Sequence, residues 1–137
     1  MDDSFRVKCE YARYRIERAK EDLDVAIEMF EEEHYRIANN RAYYSIFHSM
    51  RAVLAFDGFD SKKHSGIIAE FRKSYIKTGI FHDELSTIIG RASEIRNASD
   101  YDDMFIASKD ETNKQIEDAK VFYDKVKEYI EDRIKNI

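Results

Sequence analysis

The sequence predicts an all-α fold, an antiparallel up-down four-helix bundle with an additional short helix between the second and third long helices. Its 137 residues include no proline and four glycines, so helix breakers are nearly absent. Apolar residues recur at alternating steps of three and four over long stretches, the period of one helix face. With 43% apolar and 37% charged residues, the composition is that of a packed core inside a solvated surface. A chain of this length forms one domain, residues 1–137, that buries a core without disulfides.

The first helix is expected from about residue 4 to 32. Its stripe is Phe5, Cys9, Ala12, Ile16, Ala19, Leu23, Ala26, Ile27 and Phe30, and the charged runs ERAKED and EMFEEE read as solvated surface. A second helix covers His34 to Phe56, with Gly58 as its C-terminal cap. DSKKHSG is a loop, and a shorter helix follows from His64 to Lys77, stopped by Thr78 and Gly79. The third long helix runs from Phe81 or His82 to Ser99 on the stripe Leu85, Ile88, Ile89, Ala92 and Ile95. Ser108 followed three later by Glu111 is a capping pattern that starts the last helix. There the stripe is Ile116, Ala119, Tyr123, Val126, Ile130, Ile134 and Ile137.

The single cysteine, Cys9, excludes an internal disulfide and fits a reducing compartment. No stretch has the roughly 20 apolar residues of a membrane span, and MDDSFRVK lacks a signal-peptide core, so a cytoplasmic protein with no membrane partner is expected. The net charge of -5 argues against a chain wrapped in nucleic acid. The charge is uneven, however. Residues 34 to 96 hold ten Lys and Arg against six Asp and Glu, together with all four histidines. That leaves room for a local anion site in an acidic protein.

Two places carry candidate chemistry. In the second helix Tyr43, Ile46, Phe47, Met50, Val53 and Leu54 share a core face, while Arg41, Tyr44, Ser45, His48 and Arg51 project from the other side. Flanked by Ala38, Ala52 and Ala55, that side is open to three readings: packing against another chain, a functional groove, or plain surface. In the third helix Arg96 lies about 20° from the direction of Leu85 on the helical wheel. An arginine leaning inward needs a carboxylate, backbone carbonyls or a bound anion. Asp100, at i+4 from Arg96, would close the helix end, with Asp102 and Asp103 following. Alternatively Arg96 is the forked donor of a phosphate or nucleotide site, with Tyr101 stacking or offering its hydroxyl. The histidines at 34, 48, 64 and 82 have no metal-ligand spacing, and the isolated glycines form no phosphate loop. Neither a metal nor a cofactor is expected.

RAYYSIFHSMRAVLAFDGF, then KKHSGIIAEFRKSYIKTG, then LSTIIGRASEIRNASDYDD, in this order and spacing from Asn39 to Asp103, resembles the HEPN domain superfamily in its small stand-alone prokaryotic members. The resemblance implies a helical bundle with a nucleotide- or RNA-related role. Many HEPN proteins are similar to ribonuclease toxins, which dimerise so that an Arg and a His four to six residues apart form a composite metal-independent site. Others are partnered with an MNT-type nucleotidyltransferase that acts as antitoxin and modifies a HEPN tyrosine with AMP. On this resemblance the motif arginine is Arg96 and its polar follower Asn97. The histidine would then fall at 101 to 103, where this chain has Tyr101, Asp102 and Asp103.

RNA cleavage without a metal suits an imidazole of pKa about 6.5 better than a phenol of about 10. The expectation is therefore a homodimeric binding module, the HEPN half of a toxin–antitoxin-like pair, holding a nucleotide or RNA without cutting it. The alternatives are an active ribonuclease toxin using Arg96 with Asp100, Tyr101 or a donated histidine, and a purely structural bundle. Arg41 and His48 repeat the Arg-to-His spacing in the second helix, and His64 is a further source of imidazole. The candidate binding residues are thus Arg96, Asn97, Asp100, Tyr101, Arg41, Tyr44, His48 and His64.

Overall fold

The computed structural model describes residues 2–101 and 106–136, except for the side chains of Asp100 and Tyr101. The described residues form five α-helices and no strand. α1 spans Asp3–Glu31 and is capped by Asp2, whose carboxylate accepts the Phe5 N–H at 2.9 Å. It closes through Glu33, a non-glycine residue at φ 66°, so that the His34 N–H reaches back to the Met29 carbonyl at 2.8 Å. α2 spans Tyr35–Leu54 and tightens into a 3₁₀ turn at Ala55–Asp57. Gly58, left-handed at φ 67°, ends it as the sequence predicts. α3, His64–Phe71, widens into a π turn at Arg72–Ile76 before Gly79 reverses the chain at φ 81°.

α4 spans Glu84–Tyr101, starting two or three residues later than expected and running two residues past Ser99. Phe81 is drawn into the core, its N–H bonded to the Tyr75 carbonyl at 2.8 Å, and His82 Nδ1 accepts the Glu84 N–H at 3.0 Å. The helix can therefore begin only after His82. α5 spans Lys109–Lys135, with Ser108 Oγ accepting the Glu111 N–H at 3.1 Å. None of these helices is long and apolar enough to cross a membrane.

Cross-helix contacts give the directions. Ala19 meets Ser45 and Phe5 meets Phe56, so α1 and α2 are antiparallel. Arg36 meets Ser99 and Tyr43 meets Arg96, so α4 runs against α2. Asn39 meets Thr112 and Phe56 meets Arg133, which makes α5 parallel to α2, as an up-down-up-down bundle requires. Phe71 is fully buried in the core, its ring 5.7 Å from Phe122 and 5.6 Å from Phe81.

One expectation about α2 is corrected. Ser45 does not project outward: it is wholly buried, and its hydroxyl donates to the Ala19 carbonyl at 2.8 Å. Ala38, Ala52 and Ala55 are buried as well, and Ala12, Ala19 and Ala26 of α1 are fully enclosed. Small side chains let two helices approach closely, so this part of the α2 face is used within the molecule. Arg41, Tyr44, His48 and Arg51, at its edge, stay half-buried.

Candidate functional site

Tyr43 is one helical position from Tyr44, so the two rings leave α2 in different directions and meet edge to face at 5.4 Å. Tyr43 is almost buried, with its hydroxyl 2.8 Å from Nδ1 of His64, the first residue of α3. The His64 imidazole stacks on Phe47 with centroids 4.0 Å apart, and the Tyr44 ring stands edge-on to it at 5.9 Å. Arg96 comes from α4 and lies over the Tyr43 ring at 5.2 Å, a cation–π contact. The inward lean read from the helical wheel thus brings Arg96, half-buried, onto α2. His64 and Arg96 are joined through a single tyrosine. Asn39, Asn40, Tyr43, Ile95 and Ser99 line a narrow crevice with Arg96.

A second constellation lies along the α1 side of α2. The Arg41 guanidinium sits 5.2 Å from the Tyr44 ring centroid, donates to Asp22 Oδ1 at 3.1 Å and forks onto Asn40 Oδ1. His48 Nε2 is 3.8 Å from the other oxygen of the Asp22 carboxylate. That distance is beyond a hydrogen bond. Arg51 pairs bidentately with Asp60, which Arg15 of α1 also reaches at 3.3 Å.

Electrostatics follow from this crowding. Burial lowers the His48 pKa to about 4, assisted by Arg51, Arg18, Arg15 and Arg41. The imidazole is therefore neutral at pH 7. Burial pushes the Asp22 carboxyl up from the usual carboxylate range, and Arg41 and Arg18 oppose that shift. Among the described residues no group of His, Cys, Asp and Glu could hold a metal ion.

Arg41, Tyr44, His48, His64 and Arg96 therefore fall into two adjoining clusters that share Tyr44, which lies near both His48 and His64. Asn97 is exposed one position beyond Arg96. The side chains of Asp100 and Tyr101, and all of Asp102 and Asp103, lie outside the described residues, and with them the Arg96–Asp100 pair. Three participants escape a sequence reading. Tyr43 reads as core, Asp22 lies in the run ERAKED that reads as solvated surface, and Arg15 lies just before that run on a polar side of the first helix. Asp22 carried a usable signal, since it lies three residues after Ala19 and four before Ala26, both on the buried stripe of α1.

Residues 12–129 match the HEPN domain. Over 131 residues the chain is 32% identical to a candidate toxin of Methanocaldococcus jannaschii, covering 91% of this chain and 89% of that one. A UPF0332 protein of Thermotoga maritima is 34% identical over 115 residues, 84% of this chain and 87% of its own length. The crystal structure of an archaeal HEPN homologue superposes with a TM-score of 0.63 at 18% identity, over 87% of this chain and 97% of that one, which is agreement in fold. With the fold, the tyrosine-rich α2 and the domain match in agreement, the chain belongs to the HEPN domain family.

Proposed function

We propose that this protein is a nucleotide- or RNA-binding HEPN module with a toxin-like role, the HEPN half of a pair with a nucleotidyltransferase, and that it holds its ligand without cutting RNA. The observation that carries the reading is Arg96, laid over Tyr43 beside a narrow crevice. A guanidinium there offers a fork to phosphate, and Tyr44 and His64 offer rings for a base. Asn97, Asp100 and Tyr101 follow on the same helix, with a phenol where an imidazole would serve cleavage. The likeness to a candidate toxin supports the toxin-like part. The homodimer belongs to the same reading, and a monomer in light scattering at micromolar concentration would remove it.

Nucleotide binding is tested by melting the protein with AMP and with ATP. A ligand at 100 times its Kd stabilises the native state by about 2.7 kcal/mol, which raises the melting temperature by several degrees. Arg96→Ala is expected to abolish that rise. An unchanged melting temperature at millimolar AMP and ATP sinks the reading.

One observation favours the ribonuclease alternative: the His64 imidazole is bonded to the tyrosine on which Arg96 lies, so an Arg and a His share one protomer's site. Inducing the protein alone in cells separates the two. RNA degradation lost in both Arg96→Ala and His64→Ala supports cleavage, and intact RNA supports binding alone.

A further inference from the structure

Arg15 and Arg18 of α1 and Arg41 and Arg51 of α2 gather around one imidazole. Their side chains are 15%, 46%, 35% and 25% exposed, so they are partly buried yet open to a ligand. Three carboxylates oppose them. Asp60 takes Arg15 and Arg51, Asp22 takes Arg41, and Glu21 is 4.0 Å from Arg18. Beside Arg51 a recess of about 610 Å³ opens between Phe47, Asp60, Ser61, Lys62 and His64, adding a lysine to the basic side.

The second observation is at Asp22. Its side chain is 8% exposed, and Oδ2 is a buried oxygen with no hydrogen-bond partner among the described residues. A buried acceptor without a donor is costly, and the donor-capable His48 Nε2 lies 3.8 Å away. Neutral His48 need not present an N–H there. A protonated one must, because both ring nitrogens of imidazolium carry hydrogen.

We propose that Arg15, Arg18, Arg41 and Arg51 bind a phosphate-bearing anion and that the bound anion raises the proton affinity of His48, whose imidazolium N–H then turns towards Asp22 Oδ2. The groups facing His48 are Arg15, Arg18 and Asp22 from α1 and Arg41, Tyr44 and Arg51 from α2, with His64 of α3 behind Tyr44. The arginines and burial together keep the imidazole neutral. An anion on the arginines cancels their repulsion, and the imidazolium completes the Asp22 carboxylate. This site is separate from the Arg96 crevice and does not depend on nucleotide binding there.

The anion has two sources, a free oxyanion or the backbone of a nucleic acid strand. The test follows the His48 ring nitrogens by NMR through a pH titration. The probes are sulfate, an oxyanion of constant charge, and a hexauridylate without terminal phosphates. Sodium chloride at equal ionic strength is the control for screening. The expected result is a rise of about one unit in the His48 midpoint, which corresponds to an affinity about tenfold higher in all for the protonated than for the neutral imidazole. A rise with sulfate assigns a free anion, and a rise with hexauridylate alone assigns a strand. Arg18→Gln, at a half-exposed position the fold tolerates, is expected to weaken the response, and Asp22→Asn to halve it or more. Arg96→Ala is expected to leave it intact, so loss of the Arg96 site and loss of this one are distinguishable. A midpoint that neither probe moves beyond the chloride control overturns the proposal, as does a wild-type response in the double variant Arg18→Gln, Arg51→Gln.

Discussion

Tyr43 is 3% exposed and fits its core position on α2, yet it connects two candidate groups, His64 through its hydroxyl and Arg96 through its ring. Tyr43→Phe keeps the ring under Arg96 and removes the bond to His64. It should cost about 1 kcal/mol in urea denaturation and move the His64 ring NMR signals while Arg96 stays in place. No loss of stability would mean that the bond contributes nothing net. His48 gives a pH prediction. Its folded pKa, about 4, lies below the ordinary imidazole value of 6.5, so the unfolded chain binds more protons between these values. Stability from this group is complete above pH 6.5 and is lost as pH falls towards 4, by up to about 3 kcal/mol. Urea titrations at several pH values should therefore show a wild-type decline over that window which His48→Gln lacks. A variant that declines equally would locate the proton elsewhere. Arg41, Tyr44, His48 and Arg96 are legible because hydrophobic periodicity places them off the core face or leaning into it. Asp22 is harder to read, because a charged residue in ERAKED reads as solvated even though its spacing from Ala19 and Ala26 puts it on the buried side of α1.

At the scale of elements, caps and stripes were readable, and the joints between helices were less so. Gly58 and Ser108 announce themselves because left-handed backbone and exposed N–H groups favour those residue types. Glu33 does not, since it occupies a left-handed position that glycine prefers. Glu33→Gly should therefore stabilise the α1–α2 turn by roughly 0.5–1 kcal/mol, read as a higher urea midpoint with an unchanged slope. A lower midpoint would show that the glutamate side chain contributes more than the backbone strain costs. The close approach of α1 and α2 was hidden because alanine and serine on the second helix are equally consistent with surface. Ala19 has no exposed area, and its carbonyl accepts the Ser45 hydroxyl. Ala19→Val should overpack this contact and destabilise by about 1–3 kcal/mol, and an unaffected melting curve would refute so tight an interface.

Across the whole molecule the helices are unevenly braced. The buried stripes of α1, α2 and α5 run most of their length, from Cys9 to Ala26, Ala38 to Leu54 and Thr112 to Ile130. α4 buries Leu85, Ile88, Ile89 and Ala92 in its first half, whereas positions 93–99 are half-buried or exposed. Such a segment opens more readily than the core, because few apolar contacts are lost when it does. Its ties to α2 include Arg96 over Tyr43 and the Arg36 bond to the Ser99 carbonyl at 2.6 Å. The proposed ligand site is thus carried partly on the least-braced stretch of the bundle. Amide hydrogens of residues 94–99 should exchange faster than those of residues 42–53, and AMP at saturation should slow the first set while leaving the second near its limit. Arg96 is the link: a ligand gripping its guanidinium holds the end of α4 against α2 and adds its binding free energy to the cost of local opening. Equal protection of both segments without ligand would contradict the uneven bracing, and unchanged exchange at 94–99 with AMP bound would place the nucleotide elsewhere.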